Sequence, residues 1–153
     1  MATVEKVQAK LTALIPNISP QARRQLGRKI GQALRKSQSN RIARQQNPDG
    51  SAFEPRKPRK EFGKKKGRIK RKAMFAKLRT ARHLKVRSNG NEVSVGFNGS
   101  SAAIAAVHQY GLTARPSKEK DFKVRYAQRE LLGISEQDLS MLNELVIEQI
   151  SKS

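Results

Sequence analysis

Apolar residues near the start of the chain recur at spacings of three and four (Val4, Val7, Leu11, Leu14) and stop at Pro16, which predicts a short amphipathic helix. Ser19-Pro20 then forms a helix start: serine suits the N-cap, and proline at the first helical position loses no hydrogen bond. A long helix is predicted from there to about Gln46. Ala22, Leu26, Ile30, Ala33, Leu34 and Ile42 keep to one face, while Arg23, Arg24, Arg28, Lys29, Arg35, Lys36, Arg41 and Arg44 occupy much of the rest. That basic side is either the solvated back of a core helix or a binding face, and the pattern leaves both open.

Asn47-Pro48-Asp49-Gly50 is a strong turn signal, because proline presets one corner and glycine accepts positive φ. From Ser51 to Lys72 the chain has few apolar anchors, chiefly Phe53 and Phe62, so residues 47–72 are expected to form a mobile basic loop or arm. Ala73, Met74, Phe75 and Leu78 predict a short helical piece. Residues 83–87 and 92–97 alternate in polarity around Ser88-Asn89-Gly90-Asn91, the signature of a β-hairpin. Val93, Val95 and Phe97 should cover the long helix. Ser100 to His108 predicts a helix of small residues capped at Gly111, followed by a loop from Leu112 to Lys120. Phe122 to Tyr126 alternates as a third strand. Ser135-Glu136-Gln137-Asp138 resembles a capping box opening a last helix with Leu139, Leu142, Leu145, Val146 and Ile150 as its stripe. The order predicts a single α+β domain over residues 1–153. In it a small antiparallel sheet, the hairpin plus one strand, packs against the long helix and the C-terminal helix, with the basic loop extending from it.

Charge changes this picture by its location. The net charge is +21, and residues 21–90 hold 24 Lys or Arg against three acids, while the rest of the chain holds nine of each sign. Such a concentration implies an anionic partner, either phosphate or an acidic protein face. No cysteine is present, which excludes disulfides and thiolate chemistry. No run approaches the roughly 18 apolar residues of a membrane span, nor does the N-terminus look like a signal peptide, so the chain is expected to be made and used in the cytoplasm and not in a membrane. The two histidines, His83 and His108, lie in no metal-ligand spacing, and no glycine-rich phosphate loop opens a helix. No catalytic residue, metal or cofactor is therefore expected. His108, Tyr110 and Gly111 suit structural roles: a hydrogen-bonded histidine, a half-buried aromatic and a cap. A sequence-blind nucleic-acid binder is the competing reading of the basic stretch, although stacking aromatics are sparse there.

Three segments together resemble the phage virion morphogenesis family, which includes the tail completion proteins of contractile-tailed temperate phages. They are residues 37–50, ending in Asn47-Pro48-Asp49-Gly50; residues 68–79; and Val107-His108-Gln109-Tyr110-Gly111. Phe53 keeps the bulky aromatic after the turn, and Arg125 to Gly133 extends the likeness over most of the chain. The resemblance implies a virion structural protein that completes or terminates the tail and helps join it to the head as a ring-forming subunit. Its expected partners are further copies of itself, the tail tube, the neck or head–tail connector proteins, and DNA passing through the ring without sequence specificity. Asn47, Pro48, Asp49, Gly50, Phe53, His108, Gln109, Tyr110 and Gly111 would then carry family structure and assembly. Lys64, Lys65, Lys66, Arg68, Lys70, Arg71 and Lys72 would form a basic contact surface.

Overall fold

A computed structural model of the chain describes residues 6–10, 18–56, 73–116 and 119–152. Its long helix α1, Pro20–Ala43, begins as the sequence predicts: Ser19 Oγ accepts a hydrogen bond from the Ala22 N–H at 3.2 Å, and Pro20 occupies the first turn. The helix ends three residues short of Gln46. Gln45 turns to a φ of 58°, which stops the helix, and its side chain donates to the carbonyls of Ile42 and Met74.

The main sheet is antiparallel, with strands β1 (Lys6–Lys10), β2 (Leu84–Ser88) and β3 (Glu92–Phe97) in the order β1-β3-β2. The hairpin is as predicted, but its turn works differently. Neither Gly90 nor Asn91 has positive φ; instead Asn89 Oδ1 accepts from the Asn91 and Glu92 N–H groups at 2.8 and 2.9 Å. The third strand also comes from elsewhere. Residues 6–10, expected as part of a helix, form the strand that pairs with β3, and the alternation of Val7 and Ala9 toward the core decides it. The segment around Phe122 instead supplies β5 (Val124–Arg125), which pairs with β4 (Thr113–Ala114) inside the expected loop, in a separate two-stranded sheet. Residues 74–79 are turns and not a helical piece, because Phe75 adopts a φ of 66°.

Helix α2 spans Gly99–Tyr110 and closes on Gly111, whose φ of 64° is the left-handed cap that glycine allows. Helix α3 spans Glu136–Lys152. Its capping box is reciprocal: Asp138 N–H donates to Ser135 Oγ at 3.1 Å, and Ser135 N–H donates to Asp138 Oδ2 at 3.0 Å.

Helix α1 crosses the sheet at Gly31, where an added Cβ would lie 2.5 Å from Val86 Cγ1 and 2.9 Å from Val93 Cγ2. Leu26, Ile30 and Leu34 of α1 thereby join Val7, Leu84, Val93, Val95 and Leu132 in the main core. Met141, Leu142 and Leu145 of α3 pack against the same cluster. A second cluster holds Ile42, Phe53, Met74, Ala105 and Leu131. The stretch between them, residues 129–133, belongs to no helix or strand although Leu131 and Leu132 are core residues.

Candidate functional site

An extended chain inside a protein must find partners for every N–H and C=O, and residues 129–133 find most of theirs in side chains. The Glu130 N–H donates to Asn47 Oδ1 at 2.9 Å. Those of Leu131 and Leu132 both donate to Gln109 Oε1, at 2.8 and 2.9 Å, and Gln109 Nε2 returns a bond to the Leu132 carbonyl at 2.9 Å. Gly133 N–H donates to Gln38 Oε1 at 3.1 Å. The Arg41 guanidinium donates to the carbonyls of Gln46, Glu130 and Leu131 at 3.0–3.1 Å. We call this segment the strap.

Of the residues singled out in sequence, Asn47, Pro48 and Gln109 meet it directly. Asn47 and Pro48 come from the turn after α1: Asn47 bonds the strap, and the Pro48 ring packs on Gly133 so closely that a Cβ there would collide with it. Asp49 and Gly50 shape that turn. Asp49 Oδ1 accepts from the Ser51 hydroxyl and N–H, which lowers its carboxyl pKa, and Gly50 takes a φ of 91°. Gly111, besides its cap, brings the chain against the backbone of Gln128, 3.1 Å from where a Cβ would stand.

Phe53 and His108 join through rings. Phe53 meets Phe75 edge-on at 5.8 Å, Phe75 meets His108 at 4.7 Å, and His108 meets Tyr126 at 5.1 Å. His108 lacks the hydrogen bond expected of it: its Nδ1 is buried with no partner among the described residues, as is the Tyr110 hydroxyl. Burial, and then the Arg129 and Arg56 guanidiniums, push the His108 pKa down to about 4, so the ring is neutral at pH 7. Its carbonyl accepts from the Arg129 N–H at 2.7 Å, and the Arg129 side chain clasps the Glu54 and Pro55 carbonyls at 2.7 and 3.1 Å.

Sequence reasoning missed the roles that Gln38, Arg41, Gln45 and Arg129 take here, and read Asp138 only as part of a helix cap. A signal for two of them existed: Ile30, Leu34, Gln38 and Arg41 follow at spacings of four, four and three, so both polar residues fall on the apolar stripe of α1. Arg41 is 4% exposed, and its Nη2 also donates to Gln38 Oε1 at 2.5 Å. Burial lowers its pKa, while the nearby Asp138 and Glu130 carboxylates raise it. Ser37 and Gln38 complete the network by donating to Asp138, which ties α3 to α1.

Lys64, Lys65, Lys66, Arg68, Lys70, Arg71 and Lys72 lie outside the described residues. Among the described residues no group of three His, Asp or Glu could hold a metal ion, and no helix is long and apolar enough to cross a membrane. The side chains of Asn47, Asp49 and Gln109 are engaged in holding backbone. A groove of about 620 Å³ opens beside the strap, between the outer face of the main sheet and α2, lined by Lys6, Lys85 and Arg87, by alanines of the helix, and at its end by Gln109, Tyr110 and Leu132.

The chain has relatives in sequence. A model of the phage virion morphogenesis family matches residues 2–151. The chain is similar to tail completion protein S of Escherichia phage P2, with 38% identity over 153 residues that cover 99% of this chain and 100% of that protein. No solved structure matches it.

Proposed function

The chain belongs to the phage virion morphogenesis family, and from that membership we propose that it is a structural protein of tail completion, closing the end of a phage tail and helping join it to the head. The observation that carries this is the likeness to the P2 tail completion protein, which runs from end to end of both chains. The strap supports a structural reading, because Asn47, Gln109 and Arg41 spend their polar groups on backbone and leave no cluster poised for chemistry. In this proposal copies of the subunit form a ring on the tail tube. The basic residues Lys64 to Lys72 meet an acidic face of a tail or neck protein, where charge complementarity steers docking.

The test is a phage lacking this chain. It should accumulate heads and tails that do not join, and purified protein added to that lysate should restore infectious particles. Replacing Lys64, Lys65 and Lys66 by alanine should weaken attachment to tails while leaving the thermal melt unchanged. Normal joining in the absence of the chain would overturn the proposal.

A further inference from the structure

We propose that the outer face of α3 docks into the basic groove of a second copy of this chain. The contact deepens the tail-completion reading by specifying which two surfaces join neighbouring subunits. In a chain of net charge +21, α3 carries four of the twelve acidic residues, Glu136, Asp138, Glu144 and Glu148, against the single cation Lys152. At 3.6 residues per turn, Leu139, Asn143, Glu136, Ile147 and Glu144 fall in that order on one arc of about 140°. This arc points away from the core. Leu139 is 54% and Ile147 63% exposed, while Met141, Leu142 and Leu145 on the other side pack inward. Scattered exposed apolar residues mean little, but here two share an arc with two carboxylates.

The groove has the opposite character. Lys6, Lys85 and Arg87 project from the face of the sheet that α1 does not cover, and no acidic residue is among the groove's lining. Ala102, Ala103 and Ala106 of α2 give its other wall an apolar surface of small side chains. A concave site with cations on one wall and alanines on the other suits an acidic amphipathic helix seated by its apolar arc. The exposed side of α1 is also basic, but it is convex and presents Arg24, Arg28, Gln32 and Lys36 with no apolar recess for Leu139 and Ile147.

The chain's own basic segment is a poor occupant, since residues 57–72 carry many cations and one acid, Glu61, and would meet Lys6, Lys85 and Arg87 with like charge. Nor can α3 fill the groove of its own subunit. It packs on α1, which covers the inner face of the sheet, and the sheet stands between the two. Helix and groove are thus different patches on opposite sides of one subunit, the arrangement of a head-to-tail contact that repeats around a ring or along a filament.

Charge reversal tests this directly. One variant carries Glu136→Lys and Glu144→Lys, and a second carries Lys85→Glu and Arg87→Glu. All five substituted positions, Glu136, Glu144, Lys85, Arg87 and Ile147, are exposed, and circular dichroism and thermal melting verify that each variant folds. Sedimentation velocity over a range of concentrations should show the wild type associating beyond its 17.1 kDa monomer and each variant alone associating at least tenfold more weakly. Mixing the two variants should restore association, because the basic helix of one then fits the acidic groove of the other. Ile147→Asp should weaken association without lowering the melting temperature. The proposal is overturned if either reversed variant alone associates like the wild type, if the mixture stays monomeric, or if the wild type is monomeric at every concentration. It is equally overturned if the groove variant keeps its mass and loses only salt-sensitive retention of DNA. The add-back assay on head–tail joining separates the two readings: variants that still restore joining sink the docking contact alone, whereas wild-type protein that fails to restore it sinks tail completion.

Discussion

Strand β3 and the strap at residues 129–133 both run through the interior, and Val95 in the one and Leu131 in the other are both 0% exposed. They solve the same problem by different means. β3 lies between β1 and β2, so its N–H and C=O groups pair with those of its neighbours, and its side chains are free to serve packing. The strap has no neighbouring strand. Its partners are the side chains of Asn47, Gln38, Arg41 and Gln109, drawn from α1, the turn after it and α2. A ladder accepts any residue that fits its face; the strap requires particular polar atoms at particular places.

If that contrast holds, the largest effect should come from Arg41→Met. It fills similar volume but leaves the carbonyls of Gln46, Glu130 and Leu131 without their donor, and the expected loss is about 3–5 kcal/mol, read from urea unfolding. A loss under about 1 kcal/mol would mean that water replaces the guanidinium, and the strap would then be no more demanding than a strand. Gln109→Leu should cost about 2–4 kcal/mol, because two strap N–H groups and one carbonyl lose their partner. Val95→Ala, in an equally buried residue of the ladder, should cost less, about 1–2 kcal/mol for the methyl groups removed. The reverse order would break the comparison.

A smaller effect of about 1–3 kcal/mol is expected of Gly133→Ala, whose new methyl meets the Pro48 ring. The double variant with Pro48→Ala should recover part of that loss, and simple additivity of the two would show that they do not touch. The smallest effect concerns pH. The His108 pKa of about 4 lies below its unfolded value near 6.5, so the unfolded chain takes up the proton first. The contribution is complete above about pH 6.5 and is lost as pH falls toward 4, by about 1–2 kcal/mol once screening of a partly solvated ring is allowed for. His108→Phe should flatten the stability profile in that window relative to the wild type.

Local signals were legible where the chain's neighbours in sequence are its neighbours in space. The strand pairing of the hairpin, the start of α1 at Ser19 and the capping box of α3 are all built within a few residues, and each matches its reading. Lys6–Lys10 misled because its strand partner, residues 92–96, is remote in sequence, while Val4, Val7, Leu11 and Leu14 offered a helical spacing close at hand. Residues 73–78 misled in the same way, since apolar spacing carries no sign of a positive φ at Phe75. For the candidate site, the motifs were visible as family marks but their mutual contacts were not. Nothing local says that Asn47 will bond a backbone group 83 positions later or that Gln38 will bond one 95 positions later. Arg41 was counted with the basic surface because charge outweighed position in the stripe.

The strap also orders events in time. Its partners on α1 and in the turn leave the ribosome roughly eighty or more residues before it does, and α3 follows it by only two residues, at Ser135 and Glu136. Contacts closing so long a loop form late in folding, because the entropy of closure comes before the stabilisation they bring. Until the strap seats, Gln38 and Arg41 lack the backbone partners it supplies, and the acidic helix hangs from an unanchored tether. Closure of the interior around α1 therefore waits on the synthesis of residues 129–133.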